Sequence, residues 1–286
     1  MSFIQNNFLI QNEMGQRLFD RYVKNLPVID YHCHLSLEEI AKNRRFENPA
    51  EVLLGGDHYK MRAMRALGID EELITGNADP FEKFAAFAGA MPYLIGNPVY
   101  HWTHLELLRY FGIYDLLCLE NAKKIWNKCS ELLKSEDFRA QAIIEKSNVE
   151  VICTTDDPTD NLFVHRKIKP LFPGVKVFPT FCISSALEIN KDTFLPYLET
   201  LGGVESFEEL CGALIDKMDF FSENGCRTSD HCLEFVPFAA GDAEGVLKKR
   251  AKAGAFQGKM KKFIKPLCCQ RLQKNIKNAA GSCSFI

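Results

Sequence analysis

The chain has 286 residues, of which 47% are hydrophobic and 25% are charged, and its formal net charge is -2. This length can build a large hydrophobic core, either as one barrel-sized domain or as two smaller domains. No stretch is apolar for long enough to cross a membrane and the N-terminus lacks the pattern of a signal peptide, so we expect a cytoplasmic protein with no membrane partner.

The first predicted elements are an amphipathic helix over residues 8–25 and a short buried strand that ends in two histidines, His32 and His34. Because alternate side chains of a strand point the same way, both imidazoles can face one point. Imidazole is the commonest metal-binding side chain, so the pair would be half of a zinc-type site. The alternative is that one of the histidines makes a core hydrogen bond.

A glycine pair at residues 55–56 leads into a predicted helix whose first turn is rich in polar groups. An imidazole, a phenol and a guanidinium in this turn have acid, base and anion-binding ability. These candidates are His58, Tyr59 and Arg62. The alternative is an exposed helix start, and we assign Lys60 and Arg65 to its solvated face.

Residues 79–145 are predicted to form a long helical excursion between two strands. The helices are predicted over residues 80–90, 99–111 and 122–134. His101 and His104 are three residues apart and can share one helix face. They either pack beside Trp102 or bind a ligand, and packing is the favoured interpretation.

Strand character returns at residues 149–155, and two acids, Asp156 and Asp157, follow at once. Active-site loops of barrel enzymes begin at such positions. Aspartate is also a strong helix N-cap, so the two residues can instead begin the next helix, or one can serve each role. We count Asp156 among the catalytic candidates.

Two further strands, over residues 175–181 and 225–231, flank a mostly helical segment over residues 186–220. This alternation of strand, loop and helix is typical of successive βα units in an α/β protein. The last strand brings an acid and His231 to its end, where convergence with the first histidine pair favours a catalytic role for His231.

The charge is distributed unevenly, because residues 248–286 contain eleven of the 35 Lys and Arg residues and no Asp or Glu. A basic tail of this kind can bind nucleic acid or an anionic surface. Few aromatic side chains accompany these bases, so stacking recognition is not favoured and we expect no nucleic-acid partner.

Five segments together resemble uronate isomerase, also called glucuronate isomerase, of the amidohydrolase superfamily. They are DYHCHL at 30–35, GGDHYKMRAMRALGI at 55–69, PVYHWTHLELLRYFGI at 98–113, ICTTDDP at 152–158 and GCRTSDH at 225–231. The resemblance runs from about residue 5 to about residue 263. It implies a distorted (β/α)8 barrel of the metal-dependent hydrolase kind, with a helical insertion at about 36–145 after strand 1.

The resemblance also implies an activity and roles for particular residues. The family interconverts D-glucuronate with D-fructuronate and D-galacturonate with D-tagaturonate, which makes it an intramolecular oxidoreductase of hexuronate catabolism. By match to its motifs, His32 and His34 would bind a divalent metal such as zinc, and His58 and Tyr59 would lie near the substrate carboxylate and the reacting carbons. Arg62 is counted with them as substrate-binding, and a homo-oligomer is expected.

The sequence departs from the family pattern at two places. The family typically has Arg-Pro-Asp where this chain has Cys182-Ile183-Ser184, and a cysteine cannot replace a bidentate cation, so we expect weakened binding of an anionic sugar. Residues 264–286 fall outside the resemblance. We therefore expect an apparently truncated barrel over 1–263 with a basic tail, produced by a frameshift and inactive.

An alternative function within the same superfamily is that of a metal-dependent hydrolase. In such an enzyme the metal held by His32 and His34 would activate a water molecule for attack on an amide or lactone.

Overall fold

The computed structural model describes residues 3–5, 7–230 and 242–253, with the backbone alone at 251–253. In chain order, its α-helices and strands are α1 (Glu13–Leu18), β1 (Val28–Asp30), α2 (Leu37–Ala41), α3 (Pro49–Leu54), α4 (His58–Ala66), α5 (Pro80–Ala90), α6 (Pro98–Phe111), α7 (Ala122–Leu132), α8 (Ala140–Lys146), β2 (Val149–Cys153), α9 (Phe163–Leu171), β3 (Lys176–Phe178), β4 (Phe181–Cys182), α10 (Ser184–Leu187), α11 (Phe194–Thr200), α12 (Phe207–Glu223), β5 (Ser229–Asp230) and α13 (Ala243–Ala253). A π-helical turn, Phe19–Val23, continues α1. No helix in these ranges combines the length and the apolar character that spanning a membrane would require.

The chain divides into two compact units. The first unit comprises Met1–Val28 and Lys42–Val149, and the second comprises Ile29–Ala41 and Glu150–Ile286. Each unit has its own hydrophobic core. The core of the first unit includes Phe84, Phe87, Leu107 and Ile125. The core of the second unit includes Phe181, Leu210, Leu214 and Phe221.

The helices α5 and α6 of the first unit begin where the local sequence provides a cap. Asp79 Oδ1 accepts a hydrogen bond from Phe81 N, and Asn97 Oδ1 accepts one from Val99 N. A proline follows each cap at the first helical position, where its missing N–H costs nothing. The predictions of helices over 80–90, 99–111 and 122–134 are confirmed to within two residues at each end.

The strands pair in the order in which they occur along the chain. One sheet has the order β1-β2-β3 and a second sheet pairs β4 with β5. The β2–β3 and β4–β5 pairs are parallel, and a parallel bridge between Asp156 and Phe181 continues the pattern from β2 to β4. The helix between β2 and β3 and those between β4 and β5 confirm the prediction of successive βα units.

Two predictions about the start of the chain are wrong. The first helix begins at Glu13 rather than residue 8, because Leu9 adopts a left-handed backbone conformation (φ 66°) and Asn12 caps the helix through Gly15 N. The strand that precedes the histidines is not buried: Val28 and Ile29 are 47% and 61% exposed. It lies at the edge of the three-stranded sheet.

Candidate active site

His32 and His34 are brought together although they lie beyond the strand that was predicted to carry them. The strand β1 ends at Asp30, and the two imidazole rings lie 4.9 Å apart between centroids, at 89° to one another. His32 Nδ1 lies 3.8 Å from Asp230 Oδ2, at the end of β5. The three side chains therefore gather at the carboxyl ends of two strands of the second unit.

The histidine pair has features that fit metal ligands. His32 Nδ1 is buried and makes no hydrogen bond to any described group, so a nitrogen lone pair or proton is left unsatisfied. Imidazole nitrogen suits zinc and related divalent metals. Among the described residues, however, no group of three or more His, Cys, Asp or Glu side chains is arranged to hold a metal ion. The pair therefore fits as two ligands of an incomplete set.

Asp156 lies in a buried hydrogen-bond network at the end of β2. Its Oδ2 accepts from Thr154 Oγ1 at 2.7 Å and from Thr180 N at 3.1 Å, and its Oδ1 lies 3.6 Å from His165 Nε2. The same His165 Nε2 is 2.8 Å from Thr154 Oγ1. Since the Thr154 hydroxyl hydrogen is donated to Asp156, Nε2 of His165 is the donor to Thr154.

Burial dominates the titration of this network. Removal from water raises the pKa of Asp156, although the Thr154 hydrogen bond and the nearby His165 oppose the rise. Burial also lowers the pKa of His165, against the attraction of the Asp156 carboxylate. A neutral imidazole beside a hydrogen-bonded carboxyl group is the arrangement that these directions favour.

The alternative in which Asp156 or Asp157 caps the next helix is wrong. The helix α9 begins only at Phe163, whose N–H donates to Asn161 Oδ1 at 2.9 Å and not to either aspartate. Asp157 instead closes a local turn, because its Oδ1 accepts from Thr159 N at 2.9 Å and from Thr159 Oγ1 at 2.8 Å.

His165 was missed by the sequence interpretation. It lies on α9 three residues before Ile168, and both side chains are buried on the inner face of that helix. A histidine on the apolar stripe of an amphipathic helix is the only sequence signal that could have indicated it, and this signal does not identify its partner.

Cys182, at the position where the resemblance implies an arginine, has a half-buried thiol. Its Sγ lies 3.1 Å from Ser184 Oγ. Burial raises the pKa of Cys182, and the carboxylates of Asp230 and Asp157 raise it further, while Ser184 opposes the rise. The thiol is therefore neutral, and this position places no positive charge beside the two acids.

The first unit holds the other sequence-predicted candidates on α4. His58 and Tyr59 occupy the first turn with ring centroids 5.4 Å apart, and Arg62 lies one turn on with its guanidinium carbon 5.9 Å from the Tyr59 ring centroid. Tyr59 is 55% exposed. The three side chains thus form one cluster at the start of α4.

The assignment of Lys60 to a solvated face is wrong. Its side chain is 2% exposed, and its Nζ donates to Glu106 Oε2 at 2.6 Å and to Leu53 O at 2.8 Å. Burial raises the pKa of Glu106, while Lys60 opposes the rise. Arg65 does lie at the surface, where it pairs with Glu71.

The remaining candidate histidines, His101, His104 and His231, differ in what surrounds them and in whether the structure describes them. Both ring nitrogens of His104 are engaged, Nδ1 with Tyr100 O at 2.7 Å and Nε2 with Leu117 N at 3.0 Å, which confirms the packing interpretation for this residue. His101 packs against the rings of Phe3 and Phe8. His231 lies outside the described residues, so its predicted catalytic role stays a prediction.

Parallel strands in chain order, helices between them and polar side chains at the strand ends define the α/β class of protein. Comparison with known proteins then identifies the family, because residues 1–279 match the family model described as glucuronate isomerase. The chain belongs to the glucuronate isomerase family.

Similar proteins support this assignment at the level of sequence. The uronate isomerase of Caldicellulosiruptor saccharolyticus is 48% identical over 260 residues, which cover 88% of this chain and 56% of the relative. The uronate isomerase of Geobacillus thermodenitrificans is 47% identical over 262 residues, with the same two shares. The chain thus spans about half the length of the curated relatives that it matches.

Solved structures support the family assignment at the level of the fold. The crystal structure of uronate isomerase from Thermotoga maritima has a TM-score of 0.91 and 30% sequence identity, and the match covers all of this chain and 64% of that one. Glucuronate isomerase from Caulobacter crescentus has a TM-score of 0.86 at 20% identity, covering 99% of this chain and 63% of that one, and this likeness concerns the fold alone.

Proposed function

We propose that this chain carries part or all of the site of a uronate isomerase, which interconverts D-glucuronate with D-fructuronate and D-galacturonate with D-tagaturonate. The observation that carries the proposal is the 48% identity to a uronate isomerase over 88% of the chain. No observation favours the alternative of a metal-dependent hydrolase. We also infer a distorted (β/α)8 barrel, which is supported by the sequential parallel pairing of the strands.

We propose that His32 and His34 hold a divalent metal, with zinc as the first choice. A bound metal of this kind polarises a carbonyl oxygen as a Lewis acid. The support is the 4.9 Å separation of the two rings and the unsatisfied, buried Nδ1 of His32.

The side chains of α4 supply proton transfer and charge in this proposal. An isomerisation through an enediol moves a proton between neighbouring carbons and develops negative charge on oxygen. The exposed phenol of Tyr59 can donate to such an oxygen, the imidazole of His58 can accept or donate a proton, and the guanidinium of Arg62 can bind the substrate carboxylate.

The thiol at position 182 is expected to weaken substrate binding. Burial raises the pKa of Cys182, and the carboxylates of Asp230 and Asp157 raise it further. Two negative charges near position 182 would favour a positively charged side chain there, and the neutral thiol does not supply one. A charge-assisted hydrogen bond contributes about 1.5–3 kcal/mol, which corresponds to about 10- to 100-fold in affinity.

The test is an isomerisation assay with added zinc on the wild-type chain and on the variant Cys182→Arg. We expect weak or absent formation of D-fructuronate from D-glucuronate by the wild type, and a gain in the variant through a KM lower by about 10- to 100-fold. Failure of both proteins to form a ketouronate would show that the proposal is wrong. Hydrolysis of amides or lactones by both would favour the hydrolase.

Metal binding is tested separately by measuring zinc content after dialysis. His32→Ala and His34→Ala should each lower the amount of zinc bound, because each removes one ligand. His101→Ala is the matched control, since His101 packs against two phenylalanine rings and is not a proposed ligand. Equal zinc content in all three variants would contradict the metal assignment.

A further inference from the structure

A buried lysine lies under the turn that presents the candidate acid/base residues. Lys60 Nζ contacts Glu106 Oε2 at 2.6 Å, Leu53 O at 2.8 Å and Asp57 Oδ2 at 3.4 Å. The lysine side chain is 2% exposed, and a buried ammonium is tolerated only when it is paired and hydrogen-bonded. Its three contacts meet that requirement with groups from three segments of the first unit.

The Asp57 carboxylate joins this ion pair to the start of α4. While Oδ2 faces the Lys60 ammonium, Oδ1 accepts hydrogen bonds from Tyr59 N and Lys60 N, both at 3.0 Å. This oxygen is therefore the N-cap of the helix. The direction in which the helix leaves its cap determines where His58 and Tyr59 point, and the lysine cation holds the capping group in place.

The helix α6 contacts the same turn at two points. Glu106 binds the ammonium of Lys60, and Trp102, one helical turn earlier, packs edge-on against the Tyr59 ring at 5.7 Å and 85°. Two contacts on successive turns restrict both the rotation and the translation of the first turn of α4.

We propose that Lys60 is a positioning residue, which sets the orientation of His58 and Tyr59 through its ion pairs with Asp57 and Glu106. The catalytic meaning of this role rests on the proposed isomerase function, whereas the positioning itself does not. A purely structural lysine would instead contribute to folding and leave the orientation of its neighbours unchanged.

The variant Lys60→Met keeps an unbranched apolar stem that is one atom shorter than that of lysine, and it removes the charge. Lys83→Met is the matched control, because Lys83 is also a lysine of the first unit whose Nζ donates to a backbone carbonyl, that of Gly76. Both variants are made with Trp126→Phe, which leaves Trp102 as the single tryptophan of the chain. Trp102 fluorescence then reports the contact with Tyr59.

Three readouts are compared between the variants. In Lys60→Met we expect a red shift of Trp102 emission and a displaced NMR signal of the His58 ring. The His58 signal is assigned from its loss in His58→Gln. A cooperative thermal transition should show that Lys60→Met is folded. Measured in the Cys182→Arg background, where turnover is expected, Lys60→Met should have a kcat lower by about 100-fold with little change in KM, because a displacement of about 1 Å of catalytic groups costs that much. Lys60→Arg should restore the kcat partly, and Lys83→Met should match the wild type.

The inference is overturned if Lys60→Met and Lys83→Met have the same Trp102 emission maximum and the same position of the His58 NMR signal. If Lys60→Met fails to fold, Glu106→Gln carries the same test, because it removes the charge of the partner while keeping its size. If neither the wild type nor Cys182→Arg isomerises hexuronates, the proposed function fails, and the fluorescence and NMR readouts still decide the positioning role.

Discussion

At the scale of single residues, the second unit depends on a polar network rather than on apolar packing alone. Thr154, Asp156 and His165 are each at most 9% exposed, and the Thr154 hydroxyl is hydrogen-bonded to both of the others at the end of β2, while Nδ1 of His165 has no partner among the described groups. Buried polar groups without partners destabilise a fold, so each member of the network needs the other two.

Asp156→Asn tests this dependence. An amide oxygen in the place of Oδ2 can still accept from Thr154 Oγ1 and Thr180 N. The amide NH2 group then takes the place of Oδ1, where a donor faces the Nε2–H donor of His165 instead of a charged acceptor at 3.6 Å. We expect the free energy of unfolding in urea to fall by about 1–3 kcal/mol. The exposed Asp216→Asn is the control and should change it by less than about 0.5 kcal/mol. Equal effects of the two variants would contradict the role of the network.

The depressed pKa of His165 makes a prediction about pH. The folded protein binds a proton on this ring less readily than the unfolded chain, whose histidines titrate near pH 6.5, at about the reference value. As the pH falls through about 6.5, the unfolded chain gains protons first, so stability present at higher pH is lost. His165→Gln should reduce the dependence of the urea midpoint on pH between about 7.5 and 5.5. An unchanged slope in the variant would contradict this account.

At the scale of elements, the turns between helices and strands set where side chains can lie. Gly225 connects α12 to the segment that leads to β5, and its φ of 95° is one that residues with a Cβ rarely adopt. A Cβ at this position would come within 2.7 Å of the Phe178 ring. The turn therefore requires glycine for two independent reasons, conformation and space.

Gly225→Ala should lower the free energy of unfolding by about 1–3 kcal/mol, the cost of one strained backbone position, or by more if Phe178 cannot move. The matched control is Gly212→Ala inside α12, where a Cβ meets no atom within 4 Å. It should stabilise the protein by about 0.5–1 kcal/mol, because alanine favours the helix. Thermal and urea unfolding of the two variants should thus shift in opposite directions.

At the scale of the whole chain, stability comes from two separate hydrophobic cores, one in each unit. Leu107 and Leu214 are both fully buried, each in the core of its own unit. Truncation of such a side chain removes apolar contacts and leaves a cavity.

Leu107→Ala and Leu214→Ala should each lower the free energy of unfolding by about 2–5 kcal/mol. Hydrogen exchange should locate the effects, with faster exchange in α6 for the first variant and in α12 for the second. Faster exchange in only one of these helices, regardless of the variant, would show that the two cores do not contribute as described.

The predictions from sequence succeeded where a few neighbouring residues contain the information. A capping Asp or Asn followed by proline defines the starts of α5 and α6, because both signals act within one helical turn. The pairing of His32 with His34 was likewise predicted from their spacing, although the strand that precedes them is exposed and ends earlier than expected.

The sequence by itself determined the helical excursion, the α/β class and the motifs that identify the family. Only the tertiary structure decided that Lys60 is buried, because its partner Glu106 lies 46 residues further along the chain. The tertiary structure likewise decided the hydrogen bond from Thr180 N to Asp156 Oδ2, whose residues are 24 positions apart in the chain. Local propensities act over a few residues, whereas the burial and pairing of a charged group depend on which distant segments the fold brings beside it.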